Sequence, residues 1–161
     1  MQIKANNTTV KNAVLALLLG AAFLNGCQTS PTADRKTEQA AEVARLKALS
    51  PEALANVAMA AADKRWQQLV AGEYKAAFES FTAASKVGID SDFLLGYVTN
   101  LNAKGAKSRS AKCEAARCEV KMDLTVNIKI PKIAPRLMEI PHREVWVLDD
   151  TGLKMIRGTA R

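Results

Sequence analysis

Three cysteines, one histidine and two tyrosines are the residues of this 161-residue chain best suited to chemistry. Cys113 and Cys118 flank Glu114-Ala115-Ala116-Arg117. As the first cross-strand pair of a hairpin they would stand about 4.5–5.5 Å apart at Cα, within disulfide range. A metal site would need more ligands than two cysteines and one distant histidine. A redox-active pair would want the C-x-x-C spacing at a helix N-terminus, which is missing here. Cys113 and Cys118 are therefore read as a structural disulfide. His142 stands between Pro141 and Arg143 at the start of a strand and is read as a surface residue rather than a base. Tyr74 and Tyr97 can offer hydroxyls, but their helical spacing makes them core residues with a wet tip. The apolar faces of the helices and of the longest strand carry no Asp, Glu or His to act as acid or base. No nucleophile elbow, phosphate loop or metal-ligand spacing occurs. No catalytic residue, metal or cofactor is assigned, and nothing positive argues for an enzyme.

The totals fit one domain of ordinary size. Apolar residues make up 48% of the chain, and 23 Lys and Arg against 16 Asp and Glu give a formal net charge of +7. That basicity is diffuse, with no Lys/Arg run interleaved with stacking aromatics, so nucleic acid is not an expected partner. The first twelve residues carry Lys4 and Lys11 and no acid, and Ala13 to Leu24 is almost entirely apolar. Twelve helical residues span about 18 Å, short of a hydrocarbon core of roughly 30 Å, so this is a signal peptide and not a membrane span. The apolar run ends in Leu24-Asn25-Gly26-Cys27. This resembles the lipobox of bacterial lipoprotein precursors, with Asn25 where Ala or Ser is commoner. The resemblance implies that Cys27 receives a diacylglycerol, that residues 1–26 are removed, and that the new amino group is acylated, which together give a stable anchor. Gln28, where inner-membrane lipoproteins of enterobacteria carry Asp, implies the periplasmic face of the outer membrane. That oxidising location suits a Cys113–Cys118 disulfide.

Residues 27–49 read as the lipidated N-terminus and a flexible tether, since Gln28 to about Ala40 lacks large apolar side chains. A weak helical pattern begins near Thr37, with Val43, Leu46 and Leu49 on one side. Residues 50–161 form the folded domain. Ser50-Pro51-Glu52 reads as N-cap, N1 proline and first-turn acid, and Gly72 as the stop. A second helix follows from Glu73, and a third is capped by Asp90 or Ser91. From Cys118 to Ile130 apolar and polar residues alternate strictly, the pattern of a strand with one buried face. A preceding strand covers about Ala106 to Cys113. The strands His142 to Leu148 and Leu153 to Arg157 flank Asp149-Asp150-Thr151-Gly152. Pairing Leu148 with Leu153 sets Trp146 opposite Met155, Val145 opposite Ile156 and Glu144 opposite Arg157. The intervening stretch Ile130 to Arg143, with three prolines, is expected to be a loop and not a regular central strand.

Three helices followed by an antiparallel sheet make an α+β plan. Trp66, Leu69, Gly72, Glu73, Tyr74, Ala77 and Phe78, with the Glu144-Val145-Trp146-Val147 strand and its Asp150/Gly152 turn, resemble the pattern of NTF2-like, SnoaL-type domains. The resemblance implies an NTF2-like (cystatin-like) cone: three N-terminal helices packed on a curved antiparallel sheet, with a pocket at the open end. Continuing the register from Cys113–Cys118 sets Arg109 opposite Met122 and Lys107 opposite Leu124. Both basic side chains then emerge on the helix-facing side, where they could attract an anion. A bulge would instead turn both to solvent. Arg109, Lys107, Tyr74 and Tyr97 are the candidate ligand residues. The role expected first is non-catalytic docking of an envelope protein or assembly. Binding of a small apolar or amphipathic anion in the cone comes second, and an isomerase- or dehydratase-like enzyme third. The oligomeric state is left open.

Overall fold

Ser50 starts the longest helix as its pattern requires: its Oγ accepts a hydrogen bond from Ala53 N at 3.2 Å, with Pro51 in the first turn. The computed structural model describes residues 31–129 and 134–158. Cys27 and the signal peptide lie outside the described residues. Helix α2 (Pro51–Ala71) ends at Gly72, whose φ of 82° is left-handed and lets its N–H reach back to Gln68 and Leu69. Its buried stripe is Leu54, Ala58, Ala62, Trp66 and Leu69. The alanines let the helix backbone lie close to the sheet, while Trp66 and Leu69 fill the space beyond.

Strands β1 (Ala103–Glu114), β2 (Arg117–Ile128), β3 (Arg136–Asp149) and β4 (Gly152–Ile156) form one antiparallel sheet in the order β1-β2-β3-β4. On β2 the alternation works as it reads: Cys118, Val120, Met122, Leu124 and Val126 are buried against the helices. The disulfide Cys113–Cys118 closes the β1–β2 hairpin, with Ala115 at a φ of 52° in the turn. In the β3–β4 hairpin Leu148 pairs with Leu153, Trp146 with Met155 and Val145 with Ile156, the register expected. Strand β4 ends at Ile156, so the expected Glu144–Arg157 ladder pair is not formed.

The expectation of an NTF2-like cone on three N-terminal helices is corrected. Among the described residues five helical segments precede the strands: α1 (Pro31–Lys47), α2, α3 (Tyr74–Phe78), α4 (Ala83–Lys86) and α5 (Ser91–Leu101). The reasons are local. A bridge between Phe81 and Met155 interrupts the chain between α3 and α4, and Gly88, at a φ of 74°, separates α4 from α5. Asp90 caps α5, accepting from the N–H groups of Asp92 and Phe93. The segment read as tether is helical from Pro31, and α1 buries Val43 and Leu46. Its polar side reaches the β3–β4 turn through Gln39 Nε2 to Thr151 O at 3.0 Å and Lys47 to Asp150 at 3.2 Å. The stretch before His142 also differs from its expectation, because β3 already runs from Arg136 through Pro141. Pro141 is tolerated because β4 pairs only with Val145 to Asp149, which leaves β3 an edge strand at the proline.

Candidate functional site

Strand β3 carries an unusual inner face. Its residues paired with the buried side of β2 are Ile140 (opposite Leu124), His142 (Met122), Glu144 (Val120) and Trp146 (Cys118). A carboxylate opposite Val120 must find partners, because burying one unpaired is costly. Glu144, 4% exposed, accepts three hydrogen bonds: from Arg65 Nη1 at 2.7 Å, Trp66 Nε1 at 2.9 Å and Trp146 Nε1 at 3.0 Å. Arg65 is itself buried, and its guanidinium lies 5.1 Å from the Phe81 ring centre and 5.8 Å from that of Trp66. Burial pushes the Arg65 guanidinium below its ordinary range, opposed by the Glu144 charge beside it. An arginine starts high enough to stay charged, so the two residues form a buried ion pair.

His142 Nε2 is 3.8 Å from Glu144 Oε1, and the imidazole meets the Trp66 ring edge-on at 5.6 Å. Burial lowers the imidazole's pKa; Glu144 opposes the shift and Arg65 assists it. The ring is therefore neutral at pH 7 and can accept a proton. The Tyr97 ring packs 6.1 Å from Trp66, and burial raises its hydroxyl pKa, so it stays a donor. These four polar residues form the floor of a cavity of about 440 Å³. Its walls are Phe81, Phe93 and Leu94 from the helical layer and Met155 and Ile156 from β4; Arg143 and Arg157 stand at the rim. Backbone hydrogen bonds from Thr82 N to Met155 O (3.0 Å) and Met155 N to Ser80 O (2.7 Å) hold β4 to the α3–α4 connection and fix that wall. Apolar walls with a few convergent polar groups are the usual make-up of a small-molecule site.

The residues expected to bind a ligand divide. Tyr97 lines the cavity; Tyr74 packs half-buried against the core from α3 and does not. Arg109 and Lys107 are exposed on the outer side of the sheet, so the bulge alternative holds and the inward placement that would have made them ligand residues is corrected. The register holds through Ser110–Lys121 and then shifts, so that Ser108 faces Met122 and Arg109 is the extra residue of a bulge. Asp63 on α2 pins the bulge, accepting from Ser108 N at 2.7 Å and Ser108 Oγ at 2.9 Å. Arg109 then pairs with Asp123 on the outer face. Arg65 and Glu144 went unread as site residues, and His142, read as a surface residue, is corrected: it is half-buried and lines the cavity. The signal was present: once Trp146 is set opposite Met155 on the inner face, the two-residue period puts Glu144 and His142 there too. Among the described residues no cluster of three or more His, Cys, Asp or Glu could hold a metal ion.

No protein-family model matches the chain, and no curated protein matches it. In fold it is similar to the solution structure of a SEC-C motif containing protein from Rhodopseudomonas palustris, at 9% identity and a TM-score of 0.46 over 60% of this chain and 73% of that one.

Proposed function

We propose that this protein is an envelope lipoprotein, anchored through Cys27 to the periplasmic face of the outer membrane, whose cavity binds a small amphipathic anion. One observation carries the ligand reading: a cavity of about 440 Å³ with apolar walls opens onto a buried Arg65–Glu144 pair with His142 and Tyr97 beside it. At about 30 Å³ per non-hydrogen atom, by analogy with water's share of liquid volume, it holds a ligand of roughly 15 such atoms. Native mass spectrometry of the purified full chain, incubated with straight-chain carboxylates, tests this. A one-to-one adduct is expected that is lost in Leu94→Trp, where the indole fills the cavity. A protein that stays bare with every acid overturns the reading. The anchor is tested on the protein recovered from cell membranes: a mature chain beginning at Cys27, with a diacylglycerol on its sulfur and an acyl group on its nitrogen, is expected, and processing is expected to fail in Cys27→Ala.

Docking of an envelope protein is the second reading, favoured by Leu137 and Met138, which are 63% and 37% exposed near the start of β3. Replacing both with Ser should abolish crosslinking to a partner in intact cells while leaving the thermal midpoint unchanged. A large fall in that midpoint would show them to be structural instead.

A further inference from the structure

The floor of the cavity has surplus donors but no surplus charge. Arg65 carries five N–H donors, and its one hydrogen bond among the described residues runs from Nη1 to Glu144. Its Nε is buried with no partner. The Glu144 carboxylate, by contrast, already accepts from three donors. The charges of Arg65 and Glu144 cancel, and the imidazole facing them is neutral at pH 7. A second carboxylate pushed to this depth would be buried beside Glu144 with one guanidinium between two anions, so its desolvation would go uncompensated. A neutral oxygen meets no such penalty and accepts from the guanidinium N–H groups left over. The rim is different. Arg157, half-buried there, makes no ion pair among the described residues, whereas Arg143 turns its guanidinium to Glu119 on the outer face at 3.5 Å.

We infer that the ligand enters with a neutral acceptor, a carbonyl oxygen, leading to Arg65 and leaves its anionic group at the rim beside Arg157. The natural ligand class is then a medium-chain acid with a keto or similar carbonyl group remote from its carboxylate. This rests on the ligand-binding reading above and adds the orientation and the second functional group.

Three probes of similar size separate the two ideas by titration calorimetry on the purified full chain: 9-oxodecanoate, decanoate and decan-2-one. The expected order puts 9-oxodecanoate about tenfold tighter than decanoate, since a site with an unused donor favours the ligand that satisfies it. Arg157→Gln, a rim change that leaves the floor intact, should weaken 9-oxodecanoate several-fold and leave decan-2-one unchanged. Decanoate binding as tightly as 9-oxodecanoate, or 9-oxodecanoate indifferent to Arg157→Gln, would overturn the orientation and leave the ligand-binding reading standing. Failure of all three probes to bind would overturn both.

Discussion

Glu144 is the residue on which the interior turns. Three donors converge on it, one of them a buried arginine, so removing its charge leaves Arg65 uncompensated in an apolar setting. Glu144→Gln keeps the shape and should cost about 3–5 kcal/mol, read from the urea unfolding midpoint. Replacing the pair together, as Arg65→Met with Glu144→Met, should recover a large part of that loss, because the cost lies in the orphaned charge. A single substitution costing under about 1 kcal/mol would contradict the pairing. His142 gives a second prediction with a definite sign. Burial holds its folded pKa below the ordinary 6.5, while the unfolded chain titrates near that value. The unfolded chain thus binds the proton first, and His142 opposes folding increasingly as pH falls from about 6.5 through its folded pKa. The groups facing the imidazole are Glu144 on β3, Arg65 on α2 and Tyr97 on α5. His142→Gln should therefore flatten the fall of the thermal midpoint between about pH 6.5 and pH 5, and an unchanged profile would refute the assignment. This site was only half legible in the sequence. Trp146 was correctly set opposite Met155, but a charged residue two positions earlier looks like solvent-facing polarity until its partner is known. Arg65, next to Trp66 on a helix, carries no local sign of burial.

At the scale of elements, local chemistry was readable and long-range chemistry was not. The Ser50 cap, the Gly72 stop, the alternation on β2 and the β3–β4 register each depend on residues a few positions apart, and each appears as read except for the Glu144–Arg157 pair. The bulge at Arg109 depends on Asp63, forty-five residues earlier, taking the Ser108 N–H away from the ladder. No pattern within β1 announces it, and it reverses the facing of Arg109 and Lys107. Asp63→Ala should cost about 1–3 kcal/mol by leaving that amide without its acceptor. It should also broaden the Ser108–Ser110 amide resonances as the register loosens; sharp, unshifted resonances would show that the bulge stands without Asp63. The Cys113–Cys118 disulfide closes a short loop, so its removal by paired serines should cost about 2 kcal/mol on the chain-entropy model. A loss well above that figure would point to a larger structural role for the pair. The extra helices follow the same division. The turn of α1 against β4 depends on Val43 and Leu46 meeting a hairpin more than a hundred residues away, so its polar first half looked like tether.

Across the whole molecule, one helical layer covers one face of a four-stranded sheet, and the cavity lies where that cover opens between α5 and β4. The outer face is charged, with Arg109 on Asp123 and Arg143 near Glu119, which gives the formal net charge of +7 a diffuse distribution and no single basic stripe. Among the described residues no helix is long and apolar enough to cross a membrane. The central claim is that the cavity above Glu144 binds an amphipathic anion, and the chain supplies its own reporters. It has two tryptophans, and both indole N–H groups donate to Glu144. The most direct measurement is a proton–nitrogen correlation spectrum of the labelled full chain during titration with decanoate. The account predicts that both indole resonances shift together and saturate, while amides on the outer face of β1 stay in place. Indole resonances that do not move, with shifts confined to the Leu137–Met138 end of β3, would contradict it and turn attention to docking.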